Sequence, residues 1–446
     1  MSFLRSVAVL VGGTAMGHGI TAAALPVLSR LYSPTDFSML AVFAGLVSIV
    51  SVVACLRFDV AVALPEGDDE ALRLLALSLG AAVACSIGLL VGVLLFPAWI
   101  AQRLNQPGLQ GYLWLLPVSV LLAGGYSALQ MWFVRKKAFA LIARSRVAQS
   151  TASAGTQIAS GAMAIGPGGL LLGHTMNTGA ACLLLGYRLL SGHSVRAALG
   201  RMSLYELSLT FRKFDRFPKY STFEALCNSA AIHLPVIMIA ALAAPKEAGY
   251  LMLATYVMQA PMALIGAAVG QVYLAGAAEK HRQGQLSGFT AEVLGGLLKT
   301  GAGPLLAAGI ASPAVFGLVF GAGWERAGLL VAWMTPWFVL QFLSTPVSMA
   351  LHVTGHQRAA FALQLSGLVL RVLMVYLAAT FDQARVSEWY AVSGGVFYLL
   401  YLTMILRFTG FDWQQFQQSS RHAVPIGLTW VALAALLFWL ASALQH

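Results

Sequence analysis

The sequence predicts an all-α polytopic membrane protein, with two six-helix lobes in a parallel pseudo-twofold arrangement around a central cavity and one or two extra C-terminal helices. Three observations lead there. Apolar runs of about twenty residues, the length that crosses a bilayer, follow one another along the 446-residue chain. Only 10% of residues are charged while 59% are hydrophobic, against roughly 25% charged in a soluble domain. Lipid must therefore act as part of the solvent. Finally, the Lys and Arg fall mostly in every second gap between the runs. The runs are continuous rather than alternating, which argues against a β-barrel.

Spans are expected at about 6–29, 39–64, 74–96, 112–133, 147–165, 169–190, 221–244, 249–275, 291–311, 327–353, 359–381, 388–407 and 424–444, with ends good to a few residues. The N-terminus has one basic residue, Arg5, then an apolar stretch without a cleavage site, so it reads as the first span rather than a signal peptide. Gly166-Pro167-Gly168-Gly169 separates the fifth and sixth spans by a very tight turn. Residues 1–190 form the N-terminal lobe, 191–220 a basic cytoplasmic linker, 221–407 the C-terminal lobe and 408–446 an accessory helix. The second half of the linker (SLYELSLTFRKFDRFPKY) reads either as an amphipathic helix on the inner leaflet or as an ordinary basic connection.

The charge pattern fixes sides. Of 27 Lys and Arg, five (Arg30, Arg103, Lys246, Arg326, Arg385) lie in one set of gaps and four (Arg57, Arg188, Lys299, Arg371) within or at the ends of spans. The other eighteen occupy the alternate gaps, which places those gaps and the N-terminus on the cytoplasmic side of the membrane. The net charge of +11 is thereby explained without nucleic acid. Cys55, Cys85, Cys182 and Cys227 lie in or beside apolar runs, show no metal-ligand spacing and read as small core residues. An internal repeat supports two related halves: Pro34-Thr35-Asp36-Phe37-Ser38 and Pro245-Lys246-Glu247-Ala248-Gly249 each precede an apolar run. In a parallel repeat the binding site is expected between the lobes.

A charge at mid-bilayer costs roughly 2.5–3.5 kcal/mol and needs a partner, water or a purpose. Arg57 and Asp59 belong to the second expected span and, two residues apart, cannot face each other on a helix. Arg57 either binds an anion in a hydrated cavity or snorkels to headgroups. Lys299 and Arg371 fall in the ninth and eleventh spans, and Glu224 and His233 on the seventh. Gly17 and Gly19 flank His18, so another backbone can come close there. His174 and Asn177 share a face and read as helix bridges. Gln130, Gln157, Gln259, Gln271 and Gln341 can glue helices or bind sugar hydroxyls. Pro26, Pro235, Pro261, Pro304, Pro336 and Pro346 each favour a kink.

The Gly-rich stretches lack the Gly-Lys-Ser/Thr of a nucleotide-binding loop. No nucleophile–base pair, His-rich metal motif or long outward-facing catalytic loop occurs. These features argue for a transporter over an enzyme.

Two stretches resemble a known family. Pro26-Val27-Leu28-Ser29-Arg30-Leu31-Tyr32-Ser33-Pro34-Thr35-Asp36-Phe37, with Leu56-Arg57-Phe58-Asp59 running on to Leu64-Pro65, resembles the N-terminal segment of bacterial polysaccharide and O-antigen flippases. These belong to the multidrug/oligosaccharidyl-lipid/polysaccharide exporter superfamily. Phe320-Gly321-Ala322-Gly323-Trp324-Glu325-Arg326-Ala327-Gly328 and the span after it resemble a second family segment. The resemblance implies movement of an undecaprenyl-diphosphate-linked oligosaccharide from the inner to the outer leaflet by alternating access around a cationic cavity. In the matching motif it implies diphosphate contact by Arg57, with Asp59 orienting the group or closing a gate; as ionisable groups within the spans, Lys299, Arg371, His18 and His233 are the further expected substrate contacts and Glu224 a further gating or coupling residue. No cofactor or metal is expected; coupling is to H+ or Na+. Expected partners are membrane lipids, a polysaccharide polymerase and a chain-length regulator. Two alternatives stand beside this: a drug/cation antiporter of the same superfamily, marked by a buried acidic cluster, and a membrane glycan polymerase or acyltransferase, marked by a large periplasmic loop.

Overall fold

The computed structural model describes residues 3–192, 200, 202–262, 266–411, 413–421 and 423–445, and no strand occurs among them. Their contacts divide the chain into two compact units, Met1–Ala241 and Leu242–His446. The division falls one helix later than the charge pattern suggests. Ten helices among the described residues are long and apolar enough to cross a membrane. They match ten of the thirteen expected spans.

The first unit runs α1 (Phe3–Leu31), α2 (Pro34–Ala54), the single turn α3 (Phe58–Ala61), α4 (Asp68–Leu95), α5 (Pro97–Arg103), α6 (Leu115–Arg135), α7 (Phe139–Ala162), α8 (Pro167–Leu190), α9 (Leu204–Lys213) and α10 (Thr222–Leu242). Ser33 caps α2 and its N–H reaches Asp36 in return, at 2.9 Å, so the first copy of the repeated segment is a capping box. The expected fifth and sixth spans are α7 and α8, the two too polar to join the ten. Small residues seat them. A Cβ on Gly13 of α1 would lie 2.8 Å from the Ala143 Cα of α7, so the two backbones touch there. Tyr32 donates to the Gln157 carbonyl at 2.7 Å, and Ser119 and Thr175 share a hydrogen bond of 2.7 Å between α6 and α8. These hydrogen bonds add to the apolar packing of Ile142, Leu170, Leu171 and Leu185, which are all buried.

Cys55, Phe58, Leu74, Leu75, Leu129, Trp132 and Leu185 form the core where α3, α4, α6 and α8 meet. In lipid such a core is held by close packing rather than by transfer from water. Arg135 closes this end. It donates to Asp68 at 3.2 Å, to the Glu66 carbonyl at 2.7 Å and to the Pro65 carbonyl, and so fixes the loop after α3. The second half of the linker is α9, capped by Ser203 and Glu206. It docks through a Phe211–Phe58 ring contact at 5.3 Å and a Lys213–Glu70 ion pair at 2.5 Å, while Leu204 and Tyr205 remain exposed. The segment is thus helical, with one side packed on the unit and Leu204 and Tyr205 turned away from it. Arg196 and Arg201 lie outside the described residues.

The second unit holds α11 (Glu247–Pro261), α12 (Ala267–Arg282), α13 (Leu286–Leu297), α14 (Gly303–Phe320), α15 (Glu325–Val347), α16 (Ala350–Val353), α17 (Gln357–Phe381), α18 (Val386–Phe408), α19 (Trp413–Ser420) and α20 (Ala423–Gln445). The ninth expected span is α13 and α14 joined by a π-helical turn, Leu298–Ala302, just before Pro304. Gly321 has φ 103°, which suits glycine alone and reverses the chain between α14 and α15. At Gly328 a Cβ would sit 2.5 Å from the Ser312 carbonyl oxygen, so the Ala-Gly of that family-like segment marks a backbone contact. α20 packs on α14 but is mostly exposed, as an accessory lipid-facing helix should be.

Arg326 organises the starts of three of these helices. Its guanidinium holds Glu388 of α18 with two bonds, at 2.6 and 2.9 Å, and Glu247 of α11 with one, at 2.8 Å. The second copy of the repeated segment thus starts a helix, as the first does, but its acid pairs with an arginine instead of capping.

Candidate substrate cavity

The second expected span was read as one helix through residue 64, carrying Arg57 and Asp59. The structure corrects this: α2 ends at Ala54 and the chain turns before α3. Leu56 and Arg57 both have positive φ, at 50° and 60°. Neither is glycine, and such residues cost about 1–3 kcal/mol each unless their surroundings hold them. Here the surroundings do. The Leu56 N–H bonds the Val53 carbonyl at 2.9 Å and the Phe58 N–H bonds the Cys55 carbonyl at 3.0 Å. Cys55 and Phe58 are each 1% exposed and clamp the turn from both sides. The backbone is anchored by its apolar neighbours, which leaves the Arg57 side chain free to face elsewhere.

It faces a cavity of about 380 Å³, lined by Val52, Arg57, Ser221, Glu224, Ala225, Asn228, Ser229, Ile232 and His233. All but the first two lie on one stripe at the start of and along α10, spaced by three and four residues. Ser229 ties that stripe to α2 by donating to the Ser48 carbonyl at 3.1 Å. Arg57 Nε is buried without a hydrogen-bond partner. Asp59 is 5% exposed and accepts from Ser127 of α6 at 2.6 Å through Oδ2, while its Oδ1 has no partner. Arg57 and Asp59 form no ion pair with one another: Asp59 turns to Ser127 of α6 instead.

Of the residues singled out in the sequence, Arg57, Glu224 and His233 share this cavity. Asp59 sits behind the turn on Ser127. His18 is exposed on α1. Lys299 and Arg371 belong to the second unit. Lys299 is half-buried in the π-helical turn. Arg371 is 6% exposed, with Nε and Nη2 unpartnered, and lies 5.4 Å from the Trp337 ring, 4.7 Å from Phe397 and 5.6 Å from Tyr398. Desolvated cation–π contacts are worth about 2 kcal/mol or more, so the rings stand in for water. His174 packs edge-on against Phe43 at 5.9 Å.

Sequence reading missed Ser221, Asn228 and Ser229. The three-and-four spacing from 221 to 233 carried the signal, but the pairing of Glu224 with His233, nine apart, drew attention instead. Among the described residues, no group of three or more His, Cys, Asp or Glu could hold a metal. Chemically, the Arg57 guanidinium can hold an anion while the amide and hydroxyls meet hydroxyl groups around it, and the Glu224 carboxylate stands on the opposite wall.

No curated protein sequence matches the chain. Among solved structures, lipid II flippase MurJ in an inward closed conformation superposes with a TM-score of 0.71 at 11% identity, over 99% of this chain and 98% of that one. An inward-facing multidrug resistance MATE family transporter of the MOP superfamily gives 0.68 at 13% identity, over 90% and 98%. A MOP superfamily transporter from Pyrococcus furiosus gives 0.52 at 13%, over 91% and 96%. These likenesses establish the fold. The family model for polysaccharide biosynthesis proteins matches residues 27–327, a stretch that includes the capping box, the turn at Arg57, α10 and the Arg326 segment. The chain belongs to that family of polysaccharide biosynthesis proteins.

Proposed function

We propose that this multi-pass membrane protein moves an undecaprenyl-diphosphate-linked oligosaccharide, an O-antigen or exopolysaccharide repeat unit, from the inner to the outer leaflet of the bacterial inner membrane by alternating access. The observation that carries the reading is the Arg57 cavity: a cation on a strained turn, with a buried unpartnered N–H, opposite a polar helix face. Arg57 contacts the diphosphate. Asn228, Ser221 and Ser229 meet sugar hydroxyls, with His233 at the apolar end. His18 and Lys299 complete the proposed set of substrate contacts; Arg371, enclosed by the Trp337, Phe397 and Tyr398 rings, is left out of it. Asp59 and Glu224 gate the cavity or couple it to H+ or Na+. MurJ, whose fold this chain shares, is a lipid II flippase, and the unpartnered Nε of Arg57 suits a phosphate-bearing cargo. The protein transports and catalyses no group transfer, with the N-terminus in the cytoplasm and a polymerase and chain-length regulator as partners.

Energetically, a diphosphate carries about two negative charges. Moving it outward across an inside-negative membrane gains about 2.3 kcal/mol per charge per 100 mV. In proteoliposomes containing a lipid-linked oligosaccharide, wild type is expected to transfer it between leaflets and Arg57→Ala to do so at least about tenfold more slowly. Equal rates would remove Arg57 from the mechanism.

A further inference from the structure

We propose that the first unit carries a second anion site, separate from the Arg57 cavity, that holds the headgroup of an anionic phospholipid of the inner leaflet. It rests on the membrane reading and the charge asymmetry of the loops, and does not depend on the cargo proposed above.

The site is a cavity of about 480 Å³ at the end of the unit where α6 and α8 finish and α7 begins. Its walls carry Lys137, Arg144 and Arg188, with Ser191 as the hydroxyl and Phe139 and Leu141 on the apolar side. No carboxylate lines it. Five other cations of this unit have carboxylate partners. Arg135 and Lys136 pair with Asp68, Arg73 with Glu206, Lys213 with Glu70 and Lys219 with Asp215. Lys137, Arg144 and Arg188 form no ion pair among the described residues, so three cations repel one another in one recess with nothing to balance them. An anion relieves that repulsion.

The kind of anion follows from the walls. Lys137 and Arg144 lie in gaps that the charge bias places in the cytoplasm, and Arg188 closes the helix that ends beside them. The cavity therefore stands at headgroup depth of the inner leaflet. Basic pockets between helices at this depth suit phosphate headgroups. Phe139 and Leu141 supply an apolar flank that a soluble phosphate would not need and an acyl chain would use. The cavity offers no side-chain amide and a single hydroxyl. It therefore cannot read an oligosaccharide, which sets it apart from the α10 stripe and favours membrane phospholipid over the glycan carrier. Lys137 itself is held at φ 54°, with its N–H on the Val134 carbonyl at 2.9 Å, so its direction is set by the turn.

The test uses the full chain in a zwitterionic detergent, titrated with short-chain phosphatidylglycerol while the thermal unfolding midpoint is followed. Wild type is expected to be stabilised by phosphatidylglycerol, and not by phosphatidylcholine or inorganic phosphate at the same concentration. Arg144→Gln with Arg188→Gln should weaken the apparent affinity about 30-fold, since each cation near a lipid phosphate contributes about a factor of five. Arg144→Lys with Arg188→Lys, and separately Arg212→Gln on α9 as a charge control, should stay within about threefold of wild type. If the Gln pair does not fold, Lys137→Gln carries the test with about fivefold weakening. The proposal is overturned if the Gln pair binds like wild type, if phosphatidylcholine or inorganic phosphate protects equally, if Arg212→Gln weakens binding as much as the pair does, or if only a polyprenyl diphosphate protects. Lipid transfer by the Arg57 cavity is measured separately, so failure here leaves that reading standing.

Discussion

Replacing Arg326 by Gln should unfold the second unit more readily than any other single polar change there. Arg326 has a side-chain exposure of 27%, and Glu247 and Glu388 each of 10%. Removing the arginine leaves two nearly buried carboxylates facing each other without a cation, and breaking such a pair costs about 3–5 kcal/mol. Because Arg326 is still about a quarter exposed, the lower figure, about 3 kcal/mol, applies. For a unit of roughly two hundred residues, 1 kcal/mol moves the midpoint by about 2–4 °C, so the loss is about 6–12 °C. The geometry also orders the single changes. Glu388→Gln breaks a two-bond contact and Glu247→Gln a one-bond contact, so the expected severity is Arg326→Gln, then Glu388→Gln, then Glu247→Gln. The assay is tryptophan fluorescence at a fixed heating rate, since membrane proteins unfold irreversibly and the midpoint depends on the scan. A triple variant, Arg326→Leu with Glu247→Gln and Glu388→Gln, has no uncompensated charge and should recover most of the loss. A shift under about 2 °C for Arg326→Gln, or a triple variant no better than the single, would refute the claim that the cluster works by charge compensation.

Ser127→Ala takes away the one donor to Asp59, whose other oxygen is already unpartnered. It should cost about 2 kcal/mol of stability, and Asp59→Asn in the same chain should relieve most of that loss in a double-mutant comparison. Gly328→Ala places a Cβ 2.5 Å from the Ser312 carbonyl oxygen, so it should destabilise by about 1–3 kcal/mol through overpacking. Gly323→Ala, with nothing within 4 Å, should shift the midpoint by less than about 1 °C in the same melt.

The fold was legible because lipid simplifies the code. A helix in hydrocarbon must satisfy its own backbone, so a run of apolar residues announces it without help from partners. Ten of the thirteen expected spans fall on such helices for this reason, and the Gly166–Gly169 stretch marks the boundary of α7 and α8, with Gly166 as the N-cap and Pro167–Gly169 opening α8. The reading was weakest where tertiary structure overrides a local rule. Nothing in Val53-Ala54-Cys55-Leu56-Arg57 breaks a helix by propensity, since no Gly or Pro occurs there. The break is enforced by Cys55 and Phe58 fitting a core made of α4, α6 and α8, contacts that are 69 residues apart in the case of Cys55 and the Gly124 carbonyl. The Arg326 cluster was hidden for the same reason: its three members lie 79 and 62 residues apart, and each alone looks like an ordinary charge at a span end. The α10 stripe was different, being local and periodic, and a helical-face count would have found it.

Arg57 and Arg371 show why an arginine in a span does not reveal its task by position. Both carry buried N–H groups without hydrogen-bond partners. A guanidinium in that state needs an electron-rich neighbour. Around Arg371 the fold supplies three rings, two of them at Phe397 and Tyr398 on one turn of α18, so its charge is accommodated within the unit. Around Arg57 no ring lies within cation–π range among the described residues, and the groups opposite are a carboxylate, an amide, hydroxyls and an imidazole beside open volume. One arginine is internally solvated, while the other depends on what enters the cavity. The turn at Leu56 and Arg57 reinforces the distinction, because backbone strain at a buried cation gains nothing for packing that a continuous helix would not give, but it does re-aim the side chain. The sequence features that separate the two cases are therefore the residues that face each arginine: aromatic side chains on the neighbouring helix for Arg371, and polar side chains repeating every three and four residues for Arg57.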